Sequence, residues 1–106
     1  LFMKKSKIEF DILDQAYRFF RLKYPEINDD NYPEAYSAFT WIESFACYVS
    51  RKVEEVFEAD IDMLNDYLKT HVPEDVIWYK EIAPALADLI FYWHDEYLKL
   101  KYPEQH

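Results

Sequence analysis

No glycine occurs anywhere in the 106 residues of this chain, and that absence narrows its folds more than any feature that is present. Glycine is the residue that takes positive φ at little cost, and the tight two-residue hairpin turns depend on it. Sheets built from short hairpins are therefore disfavoured. So are a Walker A loop, a dinucleotide fingerprint and a nucleophile elbow, because each needs a backbone conformation or a close approach that a Cβ prevents. What remains favoured is helix, interrupted by proline.

Five prolines supply the interruptions. At about 100° per residue, Ile12, Leu13, Ala16, Tyr17, Phe19, Phe20 and Tyr24 share one half of a helical wheel. Asp11, Asp14, Gln15, Arg18 and Arg21 take the other half, which predicts an amphipathic helix from about Glu9 to Tyr24. Pro25 ends it, since the residue before proline is pushed out of the helical region and proline itself has no N–H. After the polar stretch INDDN, Pro33 stands where a first helical residue belongs, with Glu34 beside it to complement the helix dipole. This opens a run without breakers to about Phe57, in which Phe39, Ile42, Ala46, Val49, Val53 and Val56 keep a three-four spacing. Trp41, Phe45 and Tyr48 widen its apolar arc, so it is expected to pack on two sides.

A third helix is expected from Asp60 or Asp62 to His71, with Ile61, Leu64, Tyr67 and Leu68 inward. A short helical stretch is expected between Val72-Pro73-Glu74 and about Ile82, and Pro84 should start, or kink into, a last helix to about Tyr102. The word YPE recurs at Tyr24-Pro25-Glu26, Tyr32-Pro33-Glu34 and Tyr102-Pro103-Glu104, twice inside LKYPE. Both LKYPE words close a helix and the third YPE opens one. The residues before the two LKYPE words share aromatic richness but no identity, so the word reads as a helix boundary rather than a repeat. The expectation is an all-α fold, a small bundle of four or five helices in a single domain.

Charge is large and unevenly placed. Asp and Glu number 21 against 12 Lys and Arg, a net charge of −9, and from Glu54 to Asp75 eight acids face the single Lys69. Such a field opposes nucleic acid and anionic lipid, which need phosphate neutralisation, and steers basic partners inward. One cysteine, Cys47, excludes an intramolecular disulfide and argues against a cysteine zinc site. Glu9, Asp11 and Asp14 interrupt any apolar run after the basic N-terminal residues. No secretory signal is therefore expected, and a soluble, cytoplasmic protein is.

Catalytic constellations are hard to find. His94-Asp95-Glu96 is the first place to look, but the helical neighbours of His94 at three and four residues are Ile90, Phe91, Tyr97 and Leu98, none a usual metal ligand. His94 is thus expected to be a packed histidine bonded to one distant group, the other reading being an enzyme that joins it to carboxylates of other helices. No Glu-x-x-His spacing of carboxylate-bridged metal bundles occurs. Cys47 shares the polar side of its helix with Glu43 and Glu54 and has no nearby base, which disfavours its thiolate. No catalytic, metal or cofactor residue is expected.

What remains is surface. In the last helix Leu86, Leu89, Ile90, Trp93, Tyr97 and Leu100 form one apolar stripe, and Ala87, Phe91 and Leu98 form a second. Tyr32, Tyr36, Tyr79 and Tyr92 lie at helix starts or off the main stripes and are expected to be exposed. Small size, excess acid, helical architecture and ten tyrosines together resemble the immunity proteins of bacterial polymorphic and contact-dependent toxin systems. The resemblance lies in architecture and composition, without a motif. It implies tight inhibition of one cognate toxin, often a nuclease with a basic cleft. Glu54, Glu55, Glu58, Asp60, Asp62 and Asp66 would then meet that cleft, with tyrosines such as Tyr32 and Tyr36 as anchors. The alternative is a homodimeric or larger helical adaptor or regulatory subunit that uses the second stripe of the last helix.

Overall fold

The computed structural model of the chain describes residues 10–73 and 79–105. Among them are four α-helices and no strand: α1 Ile12–Lys23, α2 Tyr32–Lys52, α3 Ile61–His71 and α4 Tyr79–Lys101. Short 3-10 turns follow α2 at Val56–Glu58 and α4 at Pro103–Gln105. The expected all-α bundle is what the chain forms. No helix among the described residues is long and apolar enough to cross a membrane.

The ends of the helices are set by side chains and prolines. Asp11 accepts the Asp14 N–H at 3.0 Å and starts α1; Tyr24 closes it with an N–H to the Phe20 carbonyl at 2.9 Å, just before Pro25. Asn31 precedes α2, and Pro33 stands in its first turn. α4 stops at Lys101, before Tyr102 and Pro103. All three Tyr-Pro-Glu words therefore mark helix boundaries, two closing and one opening.

Two boundaries differ from expectation. α2 ends at Lys52, short of Phe57, because Val53 turns extended (φ −113°, ψ 146°) and the amides of Glu54 and Glu55 go to the Glu58 carboxylate at 3.2 and 3.0 Å. Val56 is buried all the same, but from a turn rather than from the helical stripe to which its spacing assigned it. Pro84 neither starts nor ends a helix: α4 runs through it unbroken. Its missing N–H costs one bond near the start of the element, while buried Ile82 and Leu86 hold the turns on either side to one core. Residues 79–82 belong to α4, and the rest of the short stretch expected before it lies outside the described residues.

α4 is the central element, touching α1, α2, α3 and the Val56–Glu58 turn. Its Trp93 is fully buried, donates Nε1–H to the Ile12 carbonyl of α1 at 3.2 Å, and stacks on Phe45 of α2 with ring centroids 5.9 Å apart. Phe45 in turn meets Tyr67 of α3 at 5.0 Å. One chain of rings thus ties four helices together. The main stripe of α4 is buried from Leu86 to Tyr97, but Leu100, expected on it, is half exposed in the last turn beyond the core. Ile61 departs from expectation in the same way: it is 42% exposed because the covering of its face begins at Leu64, one turn on.

Candidate functional site

The acidic segment is built on the turn that follows α2 and on the start of α3. Three residues fasten it to the bundle. Val56 enters the core; the Phe57 ring lies 5.1 Å from His94 and 4.8 Å from Tyr97; and the Ala59 carbonyl accepts a bond from His94 Nε2 at 2.8 Å. That last bond requires the proton on Nε2, so His94 is the packed histidine with one distant partner that its neighbours implied.

Glu54, Glu55, Glu58, Asp60, Asp62 and Asp66 are all exposed. Three of them also hold backbone: Glu58 takes the amides of Glu54 and Glu55, Glu55 completes a capping box with Glu58, and Asp60 caps α3 by accepting the Met63 N–H at 2.9 Å. Asp62 and Asp66 are one turn apart on the outer side of α3. Among the described residues the ion pairs are Arg18 with Asp14 and Lys99 with Asp95 and Glu96, so none of the six acids is neutralised by one. Their charge faces outward on a short, fastened stretch of chain.

Tyr32 and Tyr36 stand elsewhere. They stack at 6.1 Å in the first turns of α2 and are 57% and 62% exposed. About 24 Å of helix separates Tyr36 from the end of α2, where the acidic segment begins. The acids are brought together with one another but not with these tyrosines. Tyr92, expected to be exposed, is half-buried against Phe19 at 5.5 Å, its hydroxyl 3.4 Å from Gln15 of α1. The Tyr79 side chain lies outside the described residues.

Two hollows flank the first turns of α2. A notch of about 140 Å³ is walled by Phe20, Ile27, Tyr32, Ala35, Tyr36 and Phe39. A cleft of about 400 Å³ opens between α1, α2 and α4 and has Trp41, Ile42, Ile82 and Leu86 on its apolar side and Lys23, Glu34 and Ser37 on its polar side. Sequence reasoning did not single out either, although a signal for the notch exists. Tyr32, Ala35, Tyr36 and Phe39 repeat at helical spacing and extend the stripe of α2 to its start, where Tyr32 and Tyr36 are exposed.

Two phenols are held by side-chain hydrogen bonds between helices. Tyr17 donates to Glu43 at 2.7 Å, and that bond, more than partial burial, raises its phenol above the ordinary 10.0. Tyr67 is buried, which raises its phenol, while a 2.7 Å bond with Ser44 acts in the opposite direction. Phenols raised in this way stay protonated at neutral pH and are poor bases. Cys47 is half-buried, and among the described residues no group of three or more His, Cys, Asp or Glu side chains is gathered to hold a metal.

Fold and surface together define a small all-α protein that displays a fastened acidic edge after the end of α2 and exposed aromatics at its start. No protein family, curated protein or solved structure matches the chain.

Proposed function

We propose that the chain is a binding protein that neutralises a basic protein partner, acting as an immunity protein does on its cognate bacterial toxin. The observation that carries this reading is the run of exposed acids from Glu54 to Asp66, none of them ion-paired among the described residues. Unpaired charge of one sign on a held segment attracts a complementary surface at long range and loses little order on contact. A basic cleft, such as the phosphate-binding groove of a nuclease, fits this chemistry, and filling it would exclude the substrate.

The test is capture from the native source at low and high salt, followed by measurement of association with the protein retained. Glu54 and Glu55 are changed to Gln and Asp62 and Asp66 to Asn together, which keeps a side-chain acceptor at the capping residue 55 and leaves the capping acids Glu58 and Asp60 in place. The expected result is a basic protein whose association slows about tenfold or more at low salt in the variant, with the difference shrinking as salt rises. Capture of no basic protein, or an association rate indifferent to the four charges, would overturn the reading.

A further inference from the structure

One group of exposed apolar side chains lies at the α1–α2 junction, away from the Glu54–Asp66 segment. Leu22, Ile27, Tyr32 and Tyr36 are four of the nine large hydrophobic side chains most exposed among the described residues, and all fall within the α1–α2 junction. Between them lies the 140 Å³ notch, four of whose six lining residues are aromatic. Ligand pockets for whole small molecules run to about 300 Å³ or more, so this one is the size of a single side chain.

The loop on one side of the notch is rigid and acidic. Asn28 Oδ1 accepts the amides of Asp30 and Asn31 at 2.9 and 3.1 Å, Asn31 Oδ1 accepts the Asn28 amide at 2.8 Å, and Asn31 Nδ2 donates to the Glu26 carbonyl at 2.9 Å. This network presents Ile27 as a wall of the notch and carries Glu26, Asp29 and Asp30 on the same few residues. None of those three carboxylates is in an ion pair among the described residues. Arg21 and the positive start of α2 oppose a cation, while the negative end of α1 favours one. Lys23 lines the cleft on the other side of α2. Three loop carboxylates against Arg21 leave an acidic excess on the chain beside the notch.

We infer that the notch is the seat for one arginine or lysine side chain of the basic partner, an assignment that rests on the function proposed above. The alkyl stem lies against Ile27, Ala35 and Phe39, and the cationic head reaches the exposed faces of Tyr32 and Tyr36 and the carboxylates of the loop. Ring faces attract a cation through their quadrupole, and the loop carboxylates add a Coulombic attraction. The head sits on the tyrosines rather than between them. Their centroids are 6.1 Å apart, less than the roughly 7 Å that two van der Waals contacts would need.

The experiment needs no partner. N-acetylarginine methylamide is titrated into the protein while the ring resonances of Tyr32, Tyr36, Phe20 and Phe39 are followed by NMR, beside N-acetylnorleucine and N-acetylglutamine methylamides. The expected result is a saturable shift of those rings with the arginine probe, weakened by salt, by Asp29→Asn with Asp30→Asn, and about two- to five-fold by Tyr36→Leu. No saturable shift, or a norleucine probe that binds as tightly as arginine, would overturn the assignment. A negative titration beside a captured basic partner sinks the notch and spares the function; a positive one with no basic partner does the reverse.

Discussion

Tyr67 is completely buried and still carries a hydroxyl, and Ser44 is what satisfies it. Burial raises the Tyr67 phenol above its ordinary 10.0, and the Ser44 bond lowers it, since a hydroxyl that can donate favours the phenolate. Ser44→Ala should therefore raise the Tyr67 pKa further. It should also cost about 0.5–1.5 kcal/mol, and up to about 3 kcal/mol if the phenol is left without any partner. The first is read from the tyrosine titration followed by NMR, the second from denaturant unfolding at neutral pH. The sign at alkaline pH follows from the raised value. The folded state favours the neutral phenol, so this contribution is complete below the unfolded value of about 10 and is lost as pH rises from there through the folded value. Wild-type protein should accordingly lose stability above about pH 10. That Tyr67 faces inward was legible from the spacing of Leu64, Tyr67 and Leu68; its partner was not, because Ser44 is on another helix and wheels carry no information between helices. For the same reason His94 could be read as a packed histidine, while the Ala59 carbonyl that accepts its hydrogen bond could not be named.

The acidic segment contains side chains of two kinds, and stability measurements separate them. Asp60 accepts the Met63 amide at the start of α3, and Glu58 holds two amides of the turn. Asp66 is exposed in the middle of α3, and its side chain caps nothing. Asp60→Ala should cost about 1 kcal/mol and lower Tm by roughly 4–8 °C, as loss of an N-cap does in a domain of about this size. Asp66→Asn should stay within about 0.5 kcal/mol of wild type. Thermal unfolding of the two variants side by side checks this, and equal losses would mean that the caps do not carry the segment. The prolines and helix faces made four helices readable from residue types alone. The end of α2 was not readable, because Val53 and Val56 return to the core from extended and turned backbone at a spacing that mimics a continuing helix. Nor was the course of α4 through Pro84, where burial on both sides outweighs one lost hydrogen bond.

Across the whole molecule, charge segregation was visible along the chain, but the separation of acids from tyrosines was not, since it depends on the length and direction of α2. The same scale decides between a basic partner and a second copy of the chain. The best case for self-association is Phe91, which is 61% exposed on the second stripe of α4, with Ala87 and Leu98 half-buried beside it. Helical spacing, however, sets exposed Asp88 one turn before Phe91 and exposed Asp95 one turn after it, and among the described residues only Asp95 of the two has a cation, Lys99 at 3.4 Å. A symmetric pairing through Phe91 would bring these acids toward their copies, on chains that each carry −9. A single ring contributes too little buried area to overcome that repulsion, since stable interfaces remove about 800 Å² from each partner. Light scattering at low salt should therefore give the mass of one chain, and Phe91→Lys should leave it unchanged. A doubled mass that Phe91→Lys returns to one chain would make α4 the interface and shift the function to a homo-oligomeric adaptor. A doubled mass that resists this change but yields to high salt would instead place the contact between the acidic edge of one chain and the basic residues of another.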